Sequence, residues 1–159
     1  MGADARRVEV PDEPALARLA GRLAARTRAG VLITLSGPLA AGKTTFARAF
    51  LRALGYAGKV KSPTFTLVES YPLPCFTVHH FDLYRLADPG ELYYMGFNEY
   101  LGPETVCLVE WPERAGDQLG DVDLALILEI AGPTARILHA QAHGPAGAAL
   151  LAALDPADA

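Results

Sequence analysis

The sequence predicts an α/β fold organised around a mixed parallel and antiparallel sheet, and three observations carry that prediction. An apolar, β-branched run at 31–36 (Val-Leu-Ile-Thr-Leu-Ser) leads into a glycine-bearing loop and then a helical repeat, the strand–loop–helix order of an α/β unit. Further along, extended runs come in pairs separated by tight turns, which suits antiparallel neighbours. The chain has 159 residues, 51% of them hydrophobic and 20% charged, an ordinary globular balance. That length is enough to close one substantial core, so a single domain spanning 1–159 is expected.

Val8-Glu9-Val10-Pro11 reads as a short lead-in, an edge strand. Asp12 is placed to cap a helix over 13–28, on which Leu16, Leu19 and Leu23 share a face. Arg18, Arg22 and Arg26 repeat every fourth residue on another face. A solvated basic stripe is the expected reading there, and a partner-binding face the alternative. The run at 31–36 is a buried strand. After the loop, Phe46, Phe50 and Leu54 stand at helical spacing over 44–54, with Gly55 as the stop. Pro63 holds Ser62 extended, so 59–66 is not helical.

A strand over 66–71, a turn at Pro72-Leu73-Pro74 and a strand over 76–82 form an antiparallel pair. Pro89-Gly90 opens a helix over 91–101 with aromatic residues on its buried side. The core strand 105–110 ends in Glu110 and is followed by Trp111-Pro112. A second hairpin joins 123–130 to 135–140 through Ala131-Gly132-Pro133-Thr134. A short Ala/Leu helix over 146–154 and a polar tail complete the chain.

The loop itself is the chemical signal. Gly37-Pro38-Leu39-Ala40-Ala41-Gly42-Lys43-Thr44 satisfies G-x-x-x-x-G-K-[ST], the phosphate-binding pattern, between a strand and a helix. Backbone N–H groups at a helix start lack intrachain partners and converge where the helix dipole is positive, so an anion sits well there. Gly42 lets the backbone approach a phosphate closely, Lys43 offers a point charge, and the Thr44 hydroxyl is a hard oxygen ligand for Mg²⁺. Pro38, Leu39, Ala40, Ala41, Gly42, Lys43, Thr44 and Thr45 are therefore the candidate nucleotide-binding residues. The architecture expected around them is a three-layer, P-loop NTPase-like fold, with the nucleotide at the carboxyl ends of the strands.

A triphosphate site also needs acids to hold Mg²⁺ and orient a nucleophile. Two core strands end in one, Asp82 and Glu110, and these join Lys43 as candidate catalytic residues and Thr44 as candidate metal ligands. His79 and His80 are adjacent in a strand and point to opposite faces, so a shared ion is not expected. Arg85, three residues past Asp82, can pair with that acid or reach phosphate. Trp111 packs on the nucleotide, on a partner, or in the core.

Composition removes other classes. The formal charge is −4 and the lysines are Lys43, Lys59 and Lys61, a poor basis for gripping nucleic acid directly. No apolar run approaches a membrane span, the N-terminus is polar rather than signal-like, and Cys75 and Cys107 make no disulfide framework. A cytoplasmic protein without membrane contact is expected.

Pro38-Leu39-Ala40-Ala41-Gly42-Lys43-Thr44-Thr45-Phe46, Ser62-Pro63-Thr64-Phe65-Thr66-Leu67-Val68, His80-Phe81-Asp82-Leu83-Tyr84-Arg85-Leu86 and Glu110-Trp111-Pro112-Glu113 resemble, in order and spacing, the motif series of the TsaE family, once called YjeE. The resemblance runs from the first helix to the Arg-bearing hairpin. It implies a small bacterial ATPase using ATP and Mg²⁺ that works with the TsaD and TsaB proteins in making threonylcarbamoyladenosine beside the tRNA anticodon. The transfer belongs to TsaD, the ATPase resets the TsaB–TsaD complex between turnovers, and tRNA is met through that complex. By the same resemblance Ser62-Pro63-Thr64 is a switch-like loop near the γ-phosphate, and Thr44 and Glu110 are Mg²⁺ ligands. Arg136 is then a nucleotide contact and Asp82 the family's required aspartate. Ser62, Thr64, Arg85 and Trp111 are the expected switch or partner-contact residues.

Two positions depart from the family pattern, which usually has Asp at 38 and Gly at 40. Pro38 lacks an N–H, and Ala40 accepts fewer backbone conformations than Gly. The chief alternative is a small-molecule kinase, which calls for an acceptor pocket and an Arg-rich lid. After the loop helix, however, the arginines are Arg85, Arg114 and Arg136, each isolated. A GTPase needs an Asn-Lys-x-Asp guanine reader, and the chain has none. A third reading is a nucleotide-binding partner module whose hydrolysis is incidental.

Overall fold

The structure is a computed structural model that describes residues 4–155. Of the polar tail expected after the last helix, Asp155 is described and pairs with Arg6, and 156–159 lie outside the described residues. Seven strands form one sheet: β1 (Ala5–Val10), β2 (Val31–Ser36), β3 (Val68–Pro72), β4 (Thr77–Asp82), β5 (Thr105–Glu110), β6 (Leu124–Ile130) and β7 (Arg136–Ala142). Their order across the sheet is β1-β7-β6-β2-β5-β4-β3. β2 runs parallel to both β5 and β6, and β4 parallel to β5. The β3–β4, β6–β7 and β1–β7 pairs are antiparallel, so the sheet is mixed as predicted.

Helices cover both faces. α1 (Glu13–Arg26), α2 (Lys43–Ala53) and α5 (Gly144–Leu151) pack on one. The other carries α3 (Gly90–Tyr94), α4 (Phe97–Tyr100) and a 3₁₀ turn at Pro112–Ala115. β2 and β5 lie at the centre with both faces covered, which is why they read as nearly continuous apolar runs. Phe46 and Phe50 seat α2 with no exposed surface, next to Ile33, Leu35 and Leu108 of the strands. No helix among the described residues is long and apolar enough to cross a membrane.

α1 starts where expected, with Asp12 Oδ1 accepting from the Ala15 N–H at 3.0 Å. It ends at Arg26 rather than 28, because Thr27 turns extended (ψ 132°) while its hydroxyl donates to the Leu23 carbonyl at 2.8 Å. Three expectations change more. The helix over 91–101 is two short helices broken at Gly96, whose φ of +78° takes the chain out of the right-handed region. That break rotates the faces out of register: Leu92 and Phe97 are buried, but Tyr93 and Tyr94 are 67% and 88% exposed, so they are not on a buried side. The last helix begins at Gly144 and tightens into a 3₁₀ turn over Ala152–Leu154. Finally, Arg22 is not on a solvated face: its guanidinium donates to the Ala153 and Leu154 carbonyls at 3.1 and 3.3 Å, closing the end of that turn. Arg18 and Arg26, beside it in the stripe, are exposed.

Candidate phosphate-binding site

Strand β2 delivers the chain to the site and α2 carries it away, and the loop between them bends on positive-φ residues. Gly37 has φ +143° and lies so close to β6 that a Cβ there would come within 2.6 Å of the Leu128 carbonyl oxygen. Gly42 has φ +110° and caps α2, with Leu16 of α1 3.0 Å from where its Cβ would stand. Ala40 also adopts a left-handed conformation, φ +67°. The Ala41 N–H is turned inward onto the Pro38 carbonyl at 3.1 Å. The N–H groups of Lys43, Thr44 and Thr45, in the first turn, have no intrahelical acceptor and point where an anion is wanted.

Arg136 holds this loop from the neighbouring hairpin. Its Nε donates to the Ala41 carbonyl at 2.8 Å and Nη2 to the Ala40 carbonyl at 3.1 Å, while Nη1 donates to Gly132 and Ala135 of its own turn. The guanidinium thus ties β7 to the loop through backbone oxygens on both sides. Lys43 is 5% exposed, its ammonium donates to the Gly37 and Pro38 carbonyls at 2.6 and 2.8 Å, and it stands 4.2 Å from the centre of the Trp111 ring. Burial pulls its pKa below the usual lysine value, against the opposing pull of Glu110, Glu113 and Asp82.

The acids come from adjacent parallel strands. Asp82 ends β4, Glu110 ends β5, and the register sets them directly opposite one another. Both are buried, at 5% and 1% exposure. Thr44 Oγ1 donates to Glu110 Oε1 at 3.4 Å, which puts a helix-start hydroxyl beside a strand-end carboxylate. Asp82 accepts from the Tyr84 N–H at 3.0 Å on Oδ1 and from the Thr64 hydroxyl at 3.2 Å on Oδ2. Ser62 and Thr64 share a hydrogen bond at 2.8 Å, so the 62–64 segment is tied to Asp82. These are hard oxygen donors, and Thr44 with Glu110 and Asp82 suits Mg²⁺, which takes few protein oxygens and fills its shell from water and phosphate.

A cleft of about 350 Å³ gathers Leu39, Ala40, Gly42, Lys43, Thr44, Thr45, Thr64, Asp82, Tyr84, Arg85, Glu110 and Trp111. Arg85 lies on its rim, its guanidinium 4.5 Å from the ring centre of Phe65, a side chain 81% exposed. Arg136 and Ala41 line a smaller cleft of about 160 Å³ on the other flank of the loop, with Asp12, Glu13 and Thr134. Pro38 and Ser62 line neither wall.

One residue of this cluster was not foreseen. His79 faces Ser70, with Nδ1 2.7 Å from its hydroxyl, whereas His80 points the other way and meets Glu110, Nε2 to Oε2 at 2.7 Å. The two histidines diverge as strand geometry requires. The signal for His80 lay in its spacing from Asp82, since residues two apart in a strand share a face.

Comparison with known proteins extends the likeness beyond the site. The family model described as threonylcarbamoyl adenosine biosynthesis protein TsaE matches residues 10–137. A Haemophilus influenzae protein named tRNA threonylcarbamoyladenosine biosynthesis protein TsaE is 40% identical over 125 residues, 76% of this chain and 79% of its own length. The Bacillus subtilis protein of the same name is 37% identical over 139 residues, 87% and 85% of the two chains. The crystal structure of Bacillus subtilis YdiB is similar with a TM-score of 0.78 at 29% identity, over 94% of this chain and 93% of that one. The family match takes in the loop and both acid-bearing strands, and the chain belongs to the TsaE family of threonylcarbamoyladenosine biosynthesis proteins.

Proposed function

We propose that this chain binds and hydrolyses Mg²⁺-ATP in the cytoplasm as a component of tRNA threonylcarbamoyladenosine synthesis, acting on a TsaB–TsaD complex so that it turns over repeatedly. The observation that carries the reading is the convergence at one cleft of the glycine loop, Lys43, the Thr44–Glu110 pair and the Asp82–Thr64 pair. The loop amides hold the phosphates, and Lys43 exchanges its two carbonyl partners for phosphate oxygens. Thr44 and Glu110 would hold Mg²⁺, which when bound neutralises charge on the phosphates. Asp82 keeps the 62–64 segment next to the site, and Phe65 and Arg85 carry that segment to the surface.

No Ser/His/Asp arrangement accompanies the cleft, and no group of three or more His, Cys, Asp and Glu side chains placed to hold a metal ion occurs among the described residues. Cleavage is accordingly expressed as a change of shape in the 62–66 segment rather than as transfer to an acceptor. The test is ATP consumption by the chain alone, with small-molecule acceptors, and with TsaB, TsaD and tRNA, alongside a time course of tRNA modification. Partner proteins should stimulate hydrolysis. Asp82→Ala and Glu110→Ala should keep measurable ATP binding but lose the stimulation and repeated modification. Phosphate transfer to an acceptor, or normal repeated modification with Glu110→Ala, would overturn the reading.

A further inference from the structure

Resting on that reading of the site, we propose that His80 is a positioning residue that fixes which oxygen of Glu110 is offered to the metal. His80 has no exposed surface, and its Nε2 lies 2.7 Å from Glu110 Oε2, also buried. Its Nδ1 has no partner. A carboxylate accepts, so Nε2 is the donor in this hydrogen bond. The tautomer with its one proton on Nδ1 would lose that hydrogen bond and leave a buried donor unpaired.

The strands explain why this histidine reaches that acid. His80 and Asp82 alternate on one face of β4, and the register places Asp82 beside Glu110 and His80 beside Leu108. His80 therefore approaches Glu110 from one step behind, on the core side, and takes Oε2. Oε1 is left toward the Thr44 hydroxyl. His80 does not line the cleft, so it acts through Glu110 and not on the nucleotide. A side chain kept there for packing alone would be apolar. The imidazole instead keeps a buried, half-satisfied polar ring in exchange for holding a carboxylate that would otherwise rotate.

Two measurements test this. Long-range ¹H–¹⁵N spectra of the ligand-free protein should show a proton on His80 Nε2, and an Nε2 without one would overturn the assignment. Calorimetry of ATP binding with and without Mg²⁺ is then compared for wild type, His80→Leu and His80→Gln, with folding checked by thermal melts. His80→Leu should bind metal-free ATP within about twofold of wild type but lose about ten- to hundredfold of the affinity that Mg²⁺ adds. His80→Gln places an amide N–H near Nε2 and should recover most of that loss. A full Mg²⁺ response in folded His80→Leu, or a folded His80→Gln no better than His80→Leu, would overturn the proposal. Should His80→Leu not fold, His80→Gln and the spectra decide. If wild type itself shows no Mg²⁺-dependent binding, the ATPase reading falls too, a result distinct from a wild type and His80→Leu that respond alike.

Discussion

Replacing Ala40 with glycine should make this protein more stable. Ala40 sits at φ +67° on the exposed crest of the loop. A left-handed conformation costs an L-residue with a Cβ about 1–2 kcal/mol. Glycine removes that strain but has more freedom to lose on folding, an offset of about 0.5–1 kcal/mol. The methyl is exposed, so its loss opens no cavity, and the Ala40 carbonyl that accepts from Arg136 is retained. The net expectation is a gain of about 0.5–1 kcal/mol, a rise in Tm of about 1–4 °C for a domain of this size. ATP affinity should move by less than about threefold, since the donors lie from Gly42 onward. The neighbouring change Gly42→Ala should have the opposite sign, losing about 1–3 kcal/mol, because φ +110° is compounded by Leu16 at 3.0 Å. Thermal melts and calorimetry on both variants measure this, and a lower Tm for Ala40→Gly would refute the placement of strain at residue 40.

Thr44→Ala should weaken Mg²⁺-ATP binding about tenfold while changing metal-free ATP by less than about twofold, measured by calorimetry; equal losses would remove the hydroxyl from the metal shell. Arg136→Lys should lower ATP affinity about tenfold even though charge is kept, because an ammonium cannot span the carbonyls of Ala40, Ala41, Gly132 and Ala135. Unaltered affinity in that variant would show that the loop holds its own shape. Of the free thiols, Cys75 is exposed, whereas burial pushes the Cys107 thiol up to about 12. A thiol reagent at neutral pH should therefore label Cys75 in the native protein and reach Cys107 only after denaturation.

The sequence exposed the parts of the fold that local chemistry controls. The strand at 105–110 has the predicted bounds because a segment covered on both faces leaves an unbroken apolar run between turns. Asp12 and Gly55 mark helix ends as their chemistry requires. The helix over 91–101 was misjudged because Gly96 is tolerable in a helix by composition, and only the packing of Leu92 and Phe97 against β4 and β5 decides that the chain breaks there. The two hairpin pairs, β3–β4 and β6–β7, are legible from their tight turns, but the rest of the strand order is not. β6 meets β2 through contacts between residues far apart in sequence, which no local pattern encodes. The site divides in the same way. Lys43, Thr44, Asp82 and Glu110 announce themselves by residue type at strand and helix ends, whereas the carbonyl partners of Arg136 and the grip of His80 on Glu110 exist only once strands are side by side.

The reach of Arg136 also sets an order of assembly. The carbonyls it seats lie 95 and 96 residues earlier in the chain. During synthesis the loop and α2 leave the ribosome well before that guanidinium exists. Both parallel neighbours of β2 are made later still than α2. A nascent fragment ending short of residue 136 therefore carries the whole phosphate-binding pattern without the guanidinium that ties it to β7. The last of the ties on the loop thus forms only with the final hairpin, late in synthesis.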